Sequence, residues 1–157
     1  MKSGFISNTS CQKLFLLTAL LWSGMLIGVS GISTPIKFQA ESLSLPVALD
    51  VGRVTFHFFS RIEWGLVAVL FVCALGGARQ RSLLYAAIGL LGIMLVEVAW
   101  LLPALDKRAV AIMSGATVSP SLHHIFYVVA EGSKLFLLVI VSIGILWKRD
   151  TFLVIEE

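Results

Sequence analysis

Three glutamates and a lysine stand inside apolar stretches of this chain, where ionised side chains are rare and need partners. Glu131 and Lys134 are three residues apart, so a helix brings them to the same face and lets them form an ion pair. Arg61 could neutralise another of these carboxylates across helices. We therefore predict one polar cluster inside the apolar region, formed by Arg61, Glu63, Glu97, Glu131 and Lys134.

The three histidines precede two of these glutamates and suggest metal chemistry. At about 100° per residue, His123, Glu131 and Lys134 share one helix face. Imidazole and carboxylate together suit zinc, iron, nickel or copper(II). One hypothesis is therefore a transition-metal site of His57, His123, His124 and Glu131. Two observations oppose it: adjacent histidines on a helix point about 100° apart, and the Glu-x-x-His pattern of di-iron bundles is absent.

The composition places these residues in a membrane protein. Of 157 residues, 58% are hydrophobic and 13% are charged, and the mean hydropathy is +0.96. These values are atypical of soluble domains. Four apolar windows are each near the roughly 20 residues that cross hydrocarbon, and their unalternating runs exclude barrel strands. We predict an all-α integral membrane protein, a compact four-helix bundle in a single domain (residues 1–157), with spans at about 14–32, 54–76, 82–102 and 121–147.

The basic residues predict an orientation in the lipid bilayer. The net charge of +3 comes largely from residues near span ends, so nucleic acid is not an expected partner. We predict a bacterial inner-membrane protein with both termini in the cytoplasm and the Glu/His cluster in the outer half of the bundle. On the side predicted to be cytoplasmic, the basic residues near span ends are Lys2, Lys13, Arg79, Arg81, Lys148 and Arg149. On the outer side they are Lys37, Arg53, Arg61, Lys107 and Arg108.

Prolines and caps predict where the helices begin and end. Pro35 and Pro103 follow the first and third spans, and a polar connection is expected after each, the second containing residues 106–108. Ser44 and Pro46 suit an N-cap region and first turn, so the second helix should begin there.

The first span permits two interpretations. Lys2 and Lys13 before an apolar run resemble a signal peptide, but the run is longer than the usual 7 to 15 residues or so, and we expect the segment to be retained. Its small residues Gly24, Gly28 and Gly31 predict close packing on a neighbouring helix.

Aromatic and sulfur-containing side chains carry less information. We predict interface-belt or packing roles for Tyr127, Trp22, Trp64, Trp100 and Trp147. No disulfide is expected, because one cysteine, at position 11, falls in the predicted N-terminal tail and the other, at position 73, lies within a span.

The chain also contains an internal repeat. Aligning Pro35 with Pro103 matches the halves without a gap and brings Glu63 onto Glu131. Each half then has a helix, a proline, a polar connection and a histidine-containing helix start. We predict two hairpins in the same orientation, a parallel repeat known from transporters.

Four stretches of the sequence carry a family resemblance. They are TPIKF at Thr34, DVGRVTFHFFSRIEW at Asp50, LLPALDKR at Leu101 and LHHIFYVVAEGSKL at Leu122. In these stretches the chain resembles a family of small four-helix membrane proteins that is carried as a domain of unknown function and includes the eukaryotic transmembrane protein 205. The resemblance implies the topology and brings no settled catalytic residues.

Three functions remain open. The first is a non-enzymatic membrane protein whose cluster handles a proton or a small cation, including a metal, in transport or tolerance. The second is an accessory or assembly subunit of a larger membrane complex, docking through glycine faces. Besides the lipid bilayer, the expected partners are copies of this chain or a membrane complex. The third is a metal- or haem-binding redox protein, for which His57 would have to face His123 or His124. No phosphate loop, nucleophile elbow or HExxH motif points to an enzyme.

Overall fold

The computed structural model describes residues 8–76 and 81–153, which form four long helices and two connections, with no strand among them. Lys2 and Arg79, which contribute to the predicted orientation, lie outside the described residues. The helices are α1 (Asn8–Leu26, π-helical Ile27–Ser33 and Thr34–Lys37), α2 (Leu45–Gly76), α3 (Arg81–Val96, π-helical Glu97–Leu101 and Leu102–Met113) and α4 (His123–Leu153).

All four helices are long and apolar enough to cross a membrane. The candidate spans are Ser10–Lys37, Leu45–Gly76, Arg81–Met113 and His123–Trp147. This confirms the predicted all-α, four-span architecture. The start of α2 at Leu45 also agrees with the expected cap, because the backbone carbonyl of Ser44 accepts the N–H of Ala48 at 3.0 Å.

The prolines do not end α1 and α3 as predicted. Pro35 and Pro103 each lie near the start of a further helical segment, and α3 continues to Met113. Residues 106–108, expected in a polar connection, are therefore helical. The second connection of the chain is correspondingly shorter and begins after α3.

A π-helical segment before each proline explains why the helix continues. Proline has no N–H and collides with the carbonyl four residues earlier in an α-helix. In the wider π pattern each N–H bonds five residues back. Thr34 N–H accordingly donates to Val29, and Leu102 N–H donates to Glu97. The Thr34 hydroxyl also donates to the Val29 carbonyl at 2.8 Å.

The four helices form a ring in chain order, in which α1 and α3 each pack against α2 and α4. We call the end where α1 and α3 finish and α2 and α4 begin the loop end. The largest apolar core lies toward the opposite end and includes Phe15, Leu70, Leu90 and Leu138. Many large apolar side chains remain exposed around the outside, as expected where lipid is the solvent.

Two local predictions for α1 are wrong. A Cβ atom at Gly24, Gly28 or Gly31 would meet nothing within 4 Å, so these glycines mediate no close packing against the described residues of this chain. Cys11 does not lie in a tail but is buried in the same core as Cys73, and both thiols are free.

Candidate functional site

The ammonium group of Lys134 is the centre of a buried cluster. Its Nζ atom lies 2.6 Å from Glu63 Oε1, 2.8 Å from Glu97 Oε2 and 2.7 Å from Glu131 Oε1. A lysine ammonium has three N–H donors, so each donor has one carboxylate acceptor. Charge-assisted hydrogen bonds of this length are strong. All four residues are buried, with Lys134 at 0% exposure and Glu131, the most exposed of them, at 6%.

Neutral donors from α1 add one further hydrogen bond to each of two carboxylates. Trp22 Nε1 donates to Glu63 Oε1 at 2.9 Å, and Ser30 Oγ donates to Glu131 Oε2 at 2.6 Å. Glu97 differs from both, because its Oε1 atom is buried without a hydrogen-bond partner among the described residues. One carboxylate oxygen of the cluster is therefore left with unmet hydrogen-bonding capacity.

The local structure of each helix determines how these side chains converge. Glu63 shares the buried face of α2 with Phe59, and Glu131 shares the buried face of α4 with Tyr127. Glu97 and Ser30 lie on the two π-helical segments, where the altered turn changes the direction of the side chains. All four ionisable residues lie in the central half of their candidate spans.

The cluster contains more negative than positive groups. Three carboxylates surround one ammonium, so two negative charges are uncompensated when all four groups are ionised. Burying a net charge in a membrane is costly. The cluster therefore favours binding of additional positive charge. The three carboxylates have oxygens within 4.8 Å of one another, close enough to share a cation, and in the structure that cation is the Lys134 ammonium.

A cavity of about 680 Å³ reaches the cluster between α1 and α4. Ser30 and Glu131 lie in its wall, with Tyr127 beside them. Most of the remaining lining is apolar, including Leu26, Val128 and Leu135, and two glycines, Gly31 and Gly132, leave room that larger side chains would fill.

A second cavity of about 210 Å³ lies at the loop end and is bordered by all four helices. It has four lining residues in common with the first cavity: Thr34, Phe38, Phe56 and His124. Its charged lining residues are Lys37, Arg53, Asp106 and Arg108. The two cavities thus adjoin. One lies close to the connections and is bordered by charged side chains, and the other extends toward the carboxylates; the walls of both are mainly apolar.

The structure places the histidines apart from the carboxylates. His57 Nε2 lies 2.6 Å from Asp106 Oδ2, in an exposed pair between α2 and α3. His123 Nδ1 lies 2.9 Å from Ser121 Oγ, and its ring packs edge-on against Trp100. His124 is exposed at the cavity rim. His123 is the first residue of α4, and at 1.5 Å per residue the rise along the helix from His123 to Glu131 is about 12 Å.

Only part of the predicted site is therefore brought together. The glutamates and Lys134 form one cluster, and the pairing of Lys134 with Glu131 is observed as predicted. Arg61 is exposed on α2, and Lys134 takes the role expected of it. The predicted metal ligands are not gathered: among the described residues, the group spaced to hold a metal ion is Glu63, Glu97 and Glu131.

Sequence reasoning missed the donors from α1. Trp22 is fully buried and donates to a carboxylate, so it is not part of an interface belt, whereas Trp64, Trp100 and Trp147 are exposed. Ser30 looked like one of several small residues on an apolar helix. The sequence did allow both donors to be predicted. A buried carboxylate requires hydrogen-bond donors, and since α1 has no charged side chain near mid-span, its donors there must be neutral ones.

The chain matches no family model, no characterised protein and no solved structure in the comparisons made with it. The resemblance to the transmembrane protein 205 family therefore stays a prediction.

Proposed function

We propose that this protein is a non-enzymatic proton carrier whose Glu63–Glu97–Glu131–Lys134 cluster binds protons that arrive from the loop end. The observation that carries the proposal is the imbalance of three carboxylates around one ammonium, all buried near mid-span. A proton on one carboxylate removes a buried charge, so uptake is favoured where no counter-ion fits.

Glu131 is the carboxylate through which protons would enter and leave. It lines the 680 Å³ cavity, and its Oε2 atom is held by Ser30 while Oε1 contacts Lys134. Glu97 offers a further acceptor, because its Oε1 atom has no hydrogen-bond donor among the described residues. Lys134 links the three carboxylates, so a charge change at Glu131 is felt by the other two.

A small metal cation is the less favoured cargo. The Lys134 ammonium already has the position that a cation bound by the three carboxylates would take, and the histidines lie elsewhere. The same arrangement supports neither haem binding nor redox chemistry. For transport or tolerance functions, a proton is the cargo that needs no displacement of Lys134.

The proposed setting is a bacterial inner membrane with both termini in the cytoplasm, so that the loop end and its cavity face outward. The predicted internal repeat is part of the proposal. It is supported by the two π-helical segments, which end at Ser33 and Leu101, two residues before the aligned Pro35 and Pro103.

Proton flux into liposomes tests the function. Purified protein is reconstituted with a pH-sensitive dye inside, and a pH gradient is imposed across the membrane. We expect wild-type protein to dissipate the gradient faster than empty liposomes, and Glu131→Gln to reduce the rate to the empty-liposome level. Glu41→Gln is the matched control, because Glu41 is exposed in the first connection. Equal rates for wild type and Glu131→Gln, in folded protein, would contradict the proposal.

A second candidate function is that of an accessory subunit. It is favoured by the open glycine surface at Gly24 and Gly28, which would admit the backbone of another helix. Extraction in mild detergent followed by native electrophoresis distinguishes the accessory-subunit function from the proton-carrier function. A stable hetero-complex supports this function, and a lone monomer or homodimer opposes it.

A further inference from the structure

The two adjoining cavities have the shape and polarity of a binding site for an amphiphile, which goes beyond the proposed proton binding. The larger cavity runs from Phe38 at the loop end to Leu26 and Leu135 at the level of the carboxylates. The smaller cavity adds charged side chains at the loop end only. Both parts of the joined space have mainly apolar walls, and the charged side chains border it at the loop end, where the head group of an amphiphile would lie.

We propose that this site binds a long-chain fatty acid, with its carboxylate beside Lys37 and its acyl chain in the cavity between α1 and α4. At roughly 30 Å³ for each water-sized group, 680 Å³ holds on the order of 20 heavy atoms. That is enough for one long acyl chain with its head group.

Charge complementarity identifies the head group as an anion. Among the described residues, no carboxylate lies within salt-bridge distance of Lys37, whose Nζ atom lies 5.1 Å from the centroid of the Phe38 ring and 5.6 Å from that of Phe56. Both rings line both cavities. The Lys37 ammonium therefore lies in the smaller cavity, near two rings that also line the larger one, and has no acidic partner among the described residues.

Among the charged residues that line the smaller cavity, Lys37 and Arg108 have no carboxylate partner in the described part of the chain. Arg53 pairs with Asp50 at 2.9 Å, and the single acidic lining residue, Asp106, pairs with His57. Arg108 donates to the backbone carbonyl of Ser119 at 2.7 Å and adds a second positive charge without a carboxylate partner.

Glycines create the room for the Lys37 ammonium and for the acyl chain. The Lys37 ammonium lies directly over Gly52, where a Cβ atom would collide with it. Gly31 and Gly132 line the larger cavity, and a Cβ atom at either would meet nothing within 4 Å. A leucine at Gly132 would fill the space assigned to the acyl chain with little distortion of the helix.

Equilibrium binding of radiolabelled palmitate to the full chain in phosphatidylcholine nanodiscs tests the proposal, with empty nanodiscs subtracted. We expect saturable binding of one palmitate per chain. Gly132→Leu should weaken it by about tenfold or more, and Lys37→Met by about fivefold, the value of a partly exposed charge pair. Hexadecanol, which has the same chain without the charge, should compete weakly.

Matched controls make the outcome decisive. Gly144→Leu alters an equally open glycine of α4 outside the cavity, and Lys13→Met removes an exposed lysine at the opposite end of α1. Both should bind palmitate like wild type. Gly31→Leu fills the same cavity from α1 and replaces Gly132→Leu if that variant does not fold. Absence of saturable binding, or equal affinity in the cavity-filling variants, overturns the site; equal affinity for hexadecanol overturns the role of Lys37.

Discussion

The centre and the loop end of this bundle use similar residue types with opposite consequences. At the centre, Lys134 and its carboxylates are at most 6% exposed, and every ammonium donor is used. At the loop end, His57 and Asp106 form an equally short contact, but their side chains are 46% and 29% exposed. Distance alone therefore does not rank the two interactions, because water screens one and is excluded from the other.

The two regions also differ in the sign of their excess charge. The centre has three carboxylates against one ammonium, while the cavity at the loop end is lined by Lys37, Arg53 and Arg108 against Asp106. Positive charge is therefore attracted to the centre and negative charge to the loop end. The proposed proton and the proposed anionic head group would therefore bind at different levels of the bundle.

Removal of the central cation should give the largest effect. Lys134→Met leaves three buried carboxylates without their shared partner, and we expect the free energy of unfolding to fall by about 3–5 kcal/mol. Lys37→Met, the control at the loop end, should cost about 1 kcal/mol or less, since it loses only contacts with aromatic rings. Unfolding by denaturant in mixed micelles measures both free-energy losses. Equal losses in the two variants would mean that the centre and the loop end contribute equally to stability.

The same position tests whether the carboxylates can share an added cation. In Lys134→Ala the oxygens of Glu63, Glu97 and Glu131 are free to bind Mn²⁺, an ion that prefers oxygen ligands. We expect Mn²⁺ to raise the melting temperature of this variant and to leave that of wild type unchanged. A shift of the same size in wild type would show that Mn²⁺ binds elsewhere.

A double-mutant cycle between α1 and α2 should show an intermediate effect. Trp22→Phe removes the N–H donor from Glu63 and should lower the free energy of unfolding by about 1–3 kcal/mol. When Trp22→Phe is combined with Glu63→Gln, the loss of unfolding free energy in the double variant should differ from the sum of the two single losses by about 0.5–3 kcal/mol. Trp64→Phe, at an exposed tryptophan of α2, is the control and should show no coupling. Strict additivity at Trp22 would mean that its contribution is packing alone.

The smallest effect is expected at the exposed pair. His57→Gln should change the free energy of unfolding by less than about 1 kcal/mol, and the change should shrink as salt is added. The measurement is the same denaturant titration at low and high ionic strength. A loss as large as that of Lys134→Met would place the His57–Asp106 contact among the principal stabilising interactions of the fold.

Much of the architecture could be predicted from the sequence because lipid permits few alternatives. A backbone in hydrocarbon must satisfy its own hydrogen bonds, so long apolar windows become helices. The shared face of Glu131 and Lys134 was predictable for an equally local reason, since residues three apart on a helix are neighbours. The burial of Glu63 on the face opposite Arg61 follows from the same periodicity.

The tertiary structure decided which partners these faces meet. Pro35 and Pro103 suggested helix ends, yet π-helical turns carry both helices through and place Ser30 and Glu97 toward the cluster. Helical periodicity specifies a direction within one helix but not the rotation of its neighbours, which depends on packing across the whole bundle. For that reason the sequence by itself determined a charged face on α4, and only the assembled bundle determined that Lys134 serves three carboxylates while the histidines remain at the loop end.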